Sequence, residues 1–341
     1  MLKSFGLKIE LFVVVSMLCL GVLTVNAESV LSSWPSPTTA DLNSVFMLSS
    51  DNGWAVGYDG TIICWNGTEW NNVTSPTTAH LRSVSMVNDT DGWVVGYDGI
   101  ILRWNGTSWS NVTSPTLNHL NSVFMVNATT GWAVGDGGMV LHWDGNIWTE
   151  HQHWQTTNRL NSVFMLNSTE GWAVGEYGDC IHWNGTKWTM QHPIGSPHLI
   201  SVFVVASDDV WAVGAGINYW NGTRWQQYLP YPGWGPRSVY MVSADNGWIV
   251  GLDGNTAHWD GDSWNNMTSP TPNHLWSVHM ISADEGWAVG NNGTIIYYNG
   301  VEWIPEFPSA MLMALLISLT LVAVILAKTA SKQLWDTKTW T

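Results

Sequence analysis

The sequence contains few charged residues, and very few of them are positive. Only 11% of its 341 residues are charged, and 26 acidic against 11 basic side chains leave a formal net charge of -15. Such a chain repels polyphosphate, which argues against nucleic acid as a partner. The five arginines look scattered along the chain, so no arginine cluster that could bind a substrate carboxylate is recognisable: Arg82, Arg103, Arg159, Arg224 and Arg237.

Helical periodicity is also missing between residues 30 and 304. Apolar and polar residues alternate there over short runs bounded by Gly, Asn and Asp, which is typical of half-buried strands. One pattern occurs seven times, first as Leu42-Asn-Ser-Val-Phe-Met, Gly53-Trp-Ala-Val-Gly and Trp65-Asn-Gly-Thr-Glu-Trp70. A repeat of this period predicts a modular architecture. Its central tryptophans are 37 to 40 residues apart: Trp54, Trp93, Trp132, Trp172, Trp211, Trp248 and Trp287.

The first copy predicts four strands, over residues 42–48, 54–57, 61–65 and 68–73. We therefore predict an all-β fold, a seven-bladed β-propeller of four-stranded antiparallel blades spanning residues 28–304. Asp59-Gly60 and Asn66-Gly67 predict two-residue type I′ turns, and the second turn would place Trp65 and Trp70 diagonally on one face. The repeats start near residues 42, 81, 120, 160, 199, 237 and 275.

Two further expectations concern how the ring is held together. Twenty of the 26 tryptophans belong to the repeat, so we interpret them as packing between blades rather than as platforms for sugars. Residues 30–34 resemble the end of a fourth strand and are expected to close the ring on the last blade, outside or in place of residues 301–304.

Cysteine is scarce, with three in the chain. Cys64 and Cys180 lie in the first and fourth repeats at different places in the pattern, three units apart around a ring. A disulfide between them is not expected, and we predict two buried free thiols.

An apolar segment near each end of the chain predicts export and membrane anchoring. Residues 1–27 combine Lys3 and Lys8, an apolar stretch and a small-residue end at Ala27, which predicts a secretory signal peptide, with an uncleaved anchor helix as the alternative. Residues 310–327 are uncharged and apolar, so we predict a transmembrane helix. The lysines of the tail, residues 328–341, predict a C-terminus inside the cell and a propeller outside, at the cell surface.

The pattern Gly-Trp-Ala-Val-Gly-x-x-Gly-Thr-Ile, followed by a strand and a tight Asn-Gly-x-x-Trp turn, carries a family resemblance. It resembles the propellers of the photosystem II stability and assembly factor type and the wider BNR, or Asp-box, repeats of sialidases. This chain has Asn-Gly-Thr-x-Trp where the Asp-box pattern has Asp-x-Gly-x-Thr-Trp. The resemblance implies a propeller and, as one function, an assembly factor for a membrane protein complex.

A second resemblance lies just before the apolar C-terminal segment. Residues 305–309, Pro305-Glu306-Phe307-Pro308-Ser309, are similar to the PEF-type sorting signal of archaeal surface proteins. The resemblance implies cleavage by an archaeosortase and an archaeal source, whereas an ordinary single-span anchor remains the competing interpretation.

Eleven Asn-x-Ser/Thr sequons are candidate glycan acceptors on an exported protein, although Asn-Gly-Thr is also favourable turn chemistry. Seven of them are expected on one rim of the propeller, at the turns after the first and third strands: Asn66, Asn88, Asn105, Asn127, Asn167, Asn184 and Asn221. The other four are Asn72, Asn111, Asn266 and Asn292.

The opposite end of the propeller is the expected binding end, because the connections between repeats diverge most there. Aromatic and histidine side chains outside the repeat pattern are the ligand-binding candidates: His153, Trp154, His192, Tyr231, Trp234, His274 and Trp276. His80, His119, His198 and His274 share one place just before the first strand of a repeat. Histidines on neighbouring blades stand too far apart for one tetrahedral ion, so we predict polar loops, no metal and no cofactor.

No local signature of a nucleophile, a catalytic carboxylate pair or a long catalytic insertion is recognisable. We therefore predict a non-enzymatic, extracellular recognition or scaffold propeller that binds a cell-surface glycan or protein through its variable connections. A sialidase-like glycan hydrolase using the same face is the enzymatic alternative, and an assembly factor is the third.

Overall fold

A computed structural model describes residues 36–151, 155–191, 195, 197–229 and 233–305. These residues form seven four-stranded antiparallel sheets, each following the order of the sequence. The first strand of every sheet contacts the first strands of both neighbouring sheets, and the last sheet contacts the first in the same way. The predicted seven-bladed β-propeller is thus confirmed, with the first strands nearest the axis.

The strands of each blade are named A to D from the axis outward. Their bounds follow the predicted pattern to within two residues, and blade by blade they are β1 (Leu42–Ser49), β2 (Asn52–Gly57), β3 (Ile62–Trp65), β4 (Trp70–Asn72); β5 (Leu81–Asn88), β6 (Asp91–Gly96), β7 (Ile101–Trp104), β8 (Trp109–Asn111); β9 (Leu120–Asn127), β10 (Thr130–Gly135), β11 (Val140–Trp143), β12 (Trp148–Glu150); β13 (Leu160–Asn167), β14 (Glu170–Gly175), β15 (Cys180–Trp183), β16 (Trp188–Met190); β17 (Leu199–Ala206), β18 (Asp209–Gly214), β19 (Gly216–Trp220), β20 (Trp225–Tyr228); β21 (Pro236–Ser243), β22 (Asn246–Gly251), β23 (Thr256–Trp259), β24 (Trp264–Met267); and β25 (Leu275–Ser282), β26 (Glu285–Gly290), β27 (Ile295–Tyr298), β28 (Trp303–Pro305).

The turn between strands B and C is the predicted type I′ turn. In blade 1 the one-turn 3₁₀ segment Tyr58–Gly60 has φ 54° at Asp59 and 71° at Gly60, and the Thr61 amide donates to the Tyr58 carbonyl at 2.9 Å. Blade 5 has only Ala215 between its two strands, which explains the short spacing between Trp211 and Trp248. The same segment recurs as Tyr97–Gly99, Asp136–Gly138, Glu176–Gly178, Leu252–Gly254 and Asn291–Gly293.

The predicted two-residue turn at Asn66-Gly67 is wrong. Trp65 pairs directly with Trp70, so the loop between strands C and D contains four residues. The Asn66 Oδ1 atom accepts hydrogen bonds from the amides of Thr68 and Glu69, both at 2.9 Å. These side-chain bonds replace the backbone pairing that a shorter hairpin would need. The two indoles are therefore opposite each other, with ring centroids 5.8 Å apart.

Tryptophans pack between the blades, as predicted. Trp54 of strand B lies against Trp104 and Trp109 of the next blade, at ring-centroid distances of 4.8 and 5.3 Å, and the second pair meets edge to face. The seam between blades 7 and 1 has the same arrangement, with Trp287 lying 4.8 Å from Trp65 and 5.7 Å from Trp70. The core therefore consists of seven equivalent apolar clusters, one at each junction.

A serine in every A strand joins its blade to the next. Its Oγ atom accepts a hydrogen bond, at 3.1 to 3.3 Å, from the backbone amide of a valine in the A strand of the next blade, on the axial edge where that strand has no strand neighbour. The pairs are Ser44 with Val84, Ser83 with Val123, Ser122 with Val163, Ser162 with Val202, Ser201 with Val239, Ser238 with Val278, and Ser277 with Val45.

The fourth strand of blade 7 is β28, from the C-terminal side of the propeller. The expectation that an N-terminal segment takes the place of residues 301–304 is therefore wrong, because Trp303 and Ile304 pair with β27 themselves. The proposed closing residues 30–34 lie outside the described residues. Asp41, just before β1, adds a further bond between the two ends, because its Oδ1 atom accepts a hydrogen bond from the Asn292 amide at 2.7 Å.

The other predictions about the chain ends also concern segments outside the described residues. These are the signal peptide 1–27, Glu306 and Phe307 of the sorting motif, the apolar segment 310–327 and the tail 328–341; of the motif, only the backbone of Pro305 belongs to β28. Within the part of the chain that the structure describes, no helix is long and apolar enough to cross a membrane. Cys64 and Cys180 are free thiols, but only Cys180 is fully buried.

Candidate functional site

The propeller has two different ends. The A–B and C–D turns share one end, because the Trp65 Nε1 atom donates to the Ser50 carbonyl at 2.9 Å and Gly67 abuts Asp51. We call this end the sequon rim. The B–C turns and the D–A connections share the other, where Gly60 abuts the Thr77 carbonyl so closely that a Cβ atom has no room. We call this end the B–C face.

The repeated histidines on the B–C face hold the B–C turn of the preceding blade. The Nδ1 atoms of His80, His119 and His274 accept hydrogen bonds from the amides of Asp59, Asp98 and Asp253, at 3.0, 2.9 and 2.8 Å. Accepting requires an unprotonated Nδ1 atom. These histidines are therefore structural, and among the described residues no group of three side chains could hold a metal ion.

Arg82 stands on an aromatic cluster that spans blades 1 to 3. Its guanidinium carbon lies 4.7 Å from the centroid of the Tyr97 ring, and its Nη2 atom donates to the Tyr97 hydroxyl. Tyr97 stacks on His119 at 4.2 Å, and His80 stacks on Tyr58 at 4.3 Å. The cluster holds Arg82 by stacking and one hydrogen bond, with no carboxylate partner among the described residues.

Arg237 has an equivalent position on blade 6. Its guanidinium carbon lies 5.3 Å from the centroid of the Trp276 ring, and Trp276 in turn contacts His274 and donates through Nε1 to the Asn291 side chain. Partial burial lowers the pKa of Arg237. No described carboxylate pairs with this guanidinium either.

Arg159 on blade 4 differs from these two. It lies 3.0 Å from the Asp136 carboxylate and donates to the Asn121 side chain at 3.0 Å, so its charge is already compensated. Among the described residues, the B–C face thus carries two arginines without a carboxylate partner, on blades 2 and 6, and one arginine between them whose charge is compensated by Asp136.

An aromatic collar surrounds the axis between the two ends. Consecutive ring contacts of 4.3 to 4.8 Å link the fifth residues of six A strands, and Ser85 takes the seventh place. Burial among these rings lowers the pKa of His279 to about 3 and raises that of Tyr240 to about 12. The aromatic members are Phe46, Phe124, Phe164, Phe203, Tyr240 and His279.

Of the predicted ligand-binding residues, the structure brings His274 and Trp276 together on the B–C face. Trp234 instead packs against the core between blades 5 and 6 and donates through Nε1 to the Asn266 Oδ1 atom at 3.0 Å. His153, Trp154, His192 and Tyr231 lie outside the described residues.

Sequence reasoning missed Arg82 and Arg237, which looked scattered. A usable signal existed, because aligning the repeats places both at the second residue of an A strand, directly after Leu81 and Pro236. Tyr58 and Tyr97 likewise share the first position after strand B.

No protein-family model and no curated protein matches this sequence. Solved structures match the fold. YCF48 bound to D1 peptide has a TM-score of 0.65 and 19% identity, covering 78% of this chain and 97% of that one. YCF48 from Cyanidioschyzon merolae has a TM-score of 0.62 and 18% identity, again covering 78% of this chain and 97% of that one. The WD40 β-propeller domain of Doa1 has a TM-score of 0.64 and 13% identity, covering 76% of this chain and 93% of that one. At these identities the likeness establishes the fold: this chain is a seven-bladed β-propeller similar to YCF48.

Proposed function

We propose that this chain is a non-enzymatic, exported protein-binding propeller that holds a carboxylate-bearing segment of a partner protein across its B–C face. The observation that carries the proposal is the pair Arg82 and Arg237, two partly buried guanidinium groups without a described carboxylate partner, at the same register position on blades 2 and 6.

Stacking on Tyr97 and Trp276 holds these guanidinium groups in place before a ligand arrives. A pre-oriented guanidinium loses less side-chain entropy on binding, and a charge-assisted, bidentate hydrogen bond to a carboxylate is among the stronger polar contacts. Since the two arginines lie on different blades, an extended segment with two acidic groups could engage both. The formal charge of -15 makes this local positive feature distinctive on the surface.

A protein partner is favoured over a glycan because the indole rings of Trp276 and Trp234 already have partners within the protein. Arg237 lies over the Trp276 ring, and the Nε1 atoms of Trp276 and Trp234 already have acceptors. These rings are thus less free to stack against a sugar. The structure of YCF48 with a D1 peptide, which is similar to this chain in fold, supports a protein-binding role.

A role as assembly factor for a membrane protein complex is the second candidate, supported by the same likeness. The apolar segment 310–327 would then keep the propeller at the membrane. A sialidase-like hydrolase finds less support, because Asp136, the carboxylate beside Arg159, is engaged in an ion pair.

Binding can be tested with the full chain and acidic peptides. An array of extended nonapeptides with paired Asp or Glu residues would be compared with matched peptides carrying Asn or Gln. We expect selected acidic peptides to bind at least ten times more tightly than their amide counterparts, and the R82Q/R237Q double variant to lose at least tenfold affinity. The control R224Q changes an exposed arginine of the sequon rim and should bind like the wild type.

Equal affinity for acidic and amide peptides, or unchanged binding by the double variant, would refute the proposal. A glycan array probed in parallel separates the other interpretation, since sugar binding that ignores both arginine substitutions would make the chain a lectin. Export is tested separately, by protease treatment of intact source cells: digestion of the propeller supports an outside location, and full protection contradicts it.

A further inference from the structure

The fourteen turns of the sequon rim follow a pairing rule. Threonine stands at the third position of seven of them, and in all seven the first residue is asparagine. The other seven turns begin with Ser, Ala, Asp or, once, Asn, and none of them has threonine at the third position. The seven Asn-x-Thr turns begin at Asn66, Asn88, Asn105, Asn127, Asn167, Asn184 and Asn221.

These seven asparagines share one hydrogen-bond arrangement. In each, the Oδ1 atom accepts from the backbone amide and the hydroxyl of its own threonine, as Asn105 does from Thr107 at 3.0 and 2.8 Å. The Nδ2 atom has no described partner in any of them, and all except the partly buried Asn221 are exposed. The same pair of bonds occurs at the other six sites.

The remaining four sequons lack this arrangement. Asn72 uses its Nδ2 atom to donate to the Pro37 carbonyl at 2.8 Å, and Asn266 accepts from Trp234. Asn292 lies in a B–C turn with φ 55°, and the hydroxyl of its threonine donates to Asn291. Asn111 has no described bond to its threonine. None of these four sits in a turn of the sequon rim.

The fold itself requires only an acceptor at the first position of the C–D turn. Asp144 and Asp260 fill it with a carboxylate, each accepting from two backbone amides. The Ile147 and Asn146 amides accordingly lower the pKa of Asp144. If only the hydrogen bond to threonine mattered, Asp-x-Thr would serve at least as well, because a carboxylate is the stronger acceptor. No turn uses it.

We infer that the amide nitrogens of these seven asparagines are N-glycan acceptors, that the sequon rim is covered by sugar, and that Asn72, Asn111, Asn266 and Asn292 carry none. The inference rests on the exported location in the proposed function. The two ends of the propeller would then differ in function, because glycans would cover the sequon rim and leave the B–C face accessible to a partner.

The modification is a group transfer from a polyprenyl-phosphate-linked oligosaccharide. The Nδ2 atom attacks the anomeric carbon of the first sugar, an N–C bond forms, and the bond from that carbon to the phosphate oxygen breaks. The polyprenyl phosphate or pyrophosphate leaves with the electron pair, and one Nδ2 proton passes to a base of the transferase. No oxidant or reductant takes part.

Glycopeptide mass spectrometry of the protein purified from its source cells tests the inference. We expect sugar mass on peptides of the seven turns and unmodified Asn72, Asn111, Asn266 and Asn292. Two variants made in the same cells sharpen the test. N105D keeps the turn acceptor but removes the amide, so it should lose one glycan. Asn299 occupies the same turn position with Val301 at the third place, so V301T should gain one.

Bare asparagines at all seven turns, or equal occupancy at the other four sequons, would overturn the inference. So would a V301T protein that stays unmodified while its neighbours carry sugar. Failure here is distinguishable from failure of the proposed function, because peptide binding through Arg82 and Arg237 is measured on unglycosylated recombinant protein. Digestion of the propeller on intact cells without any sugar would refute glycosylation and leave export standing.

Discussion

The backbone amide of Val45 donates to the Oγ atom of Ser277 at 3.2 Å, across 232 positions of sequence. This bond joins the first blade to the last with the same geometry that joins every other neighbouring pair. The A strand has no partner on its axial side, so without the serine this amide would lose its hydrogen bond on folding.

Replacing Ser277 by alanine should weaken this junction. Leaving a buried amide unpaired costs roughly 1–3 kcal/mol, so we expect S277A to lower the free energy of unfolding by about that amount. Urea unfolding followed by tryptophan fluorescence measures the change. The exposed Ser108 makes no described side-chain bond, and S108A should stay within about 0.5 kcal/mol of the wild type. Equal stability of both variants would show that water replaces the serine.

Trp93 is fully buried between the rings of Trp143 and Trp148. Truncating such a side chain removes apolar burial and leaves a cavity, so W93A should lose about 3–5 kcal/mol of stability. Guanidinium denaturation provides the measurement. L117A changes a side chain that is 86% exposed and should have almost no effect. A small loss in W93A would mean that the junction collapses around the missing ring.

His279 should make the fold sensitive to acid. Its folded pKa is lowered to about 3 by burial, whereas an unfolded chain takes up the proton near the ordinary value of 6.5. Above about pH 6.5 His279 is neutral in both states and its burial carries no proton-linked cost. As the pH falls from 6.5 toward 3, the unfolded chain binds a proton that the folded His279 does not, so the free energy of unfolding decreases.

Four of the seven collar positions are phenylalanine, so H279F is a matched variant. Between pH 7 and pH 5 the wild type should lose up to about 2 kcal/mol more stability than H279F. Denaturant titrations at the two pH values give this difference, and parallel losses in both proteins would place the acid sensitivity elsewhere.

The contact between His274 and Asp253 can be tested by hydrogen exchange. H274A removes the acceptor for the Asp253 amide, which should exchange at least tenfold faster. H274D should retain protection, because Asp41 does the same for Asn292 at the seam of the ring. Fast exchange in H274D as well would mean that the imidazole acts by packing rather than as an acceptor.

Much of the fold could be predicted because the residue pattern within one repeat is enough to indicate its strands and its B–C turn. Gly60 and Asp59 adopt the positive φ angles expected of them, and the tryptophan spacing identifies the packing between blades. The C–D turn was mispredicted because its geometry depends on the Asn66 side chain, which competes with backbone pairing. The serine of each A strand was also overlooked, since its partner lies on another blade.

The site was harder to predict because its parts are far apart in the chain. Arg82 and Arg237 are separated by four blades of sequence, and only the common register of the A strands places them on one face. The sequence singled out His274 and Trp276 as departures from the repeat, and it could not indicate that Trp234 turns toward the core.

The seam between blades 7 and 1 uses the same serine bond and the same tryptophan contacts as the six junctions that a peptide connection spans. Packing therefore does not distinguish one blade as first or last. A circularly permuted propeller, opened at any D–A connection and joined between residues 305 and 36, would have all seven interfaces unchanged, so the order in which blades leave the ribosome is free to vary without altering the ring.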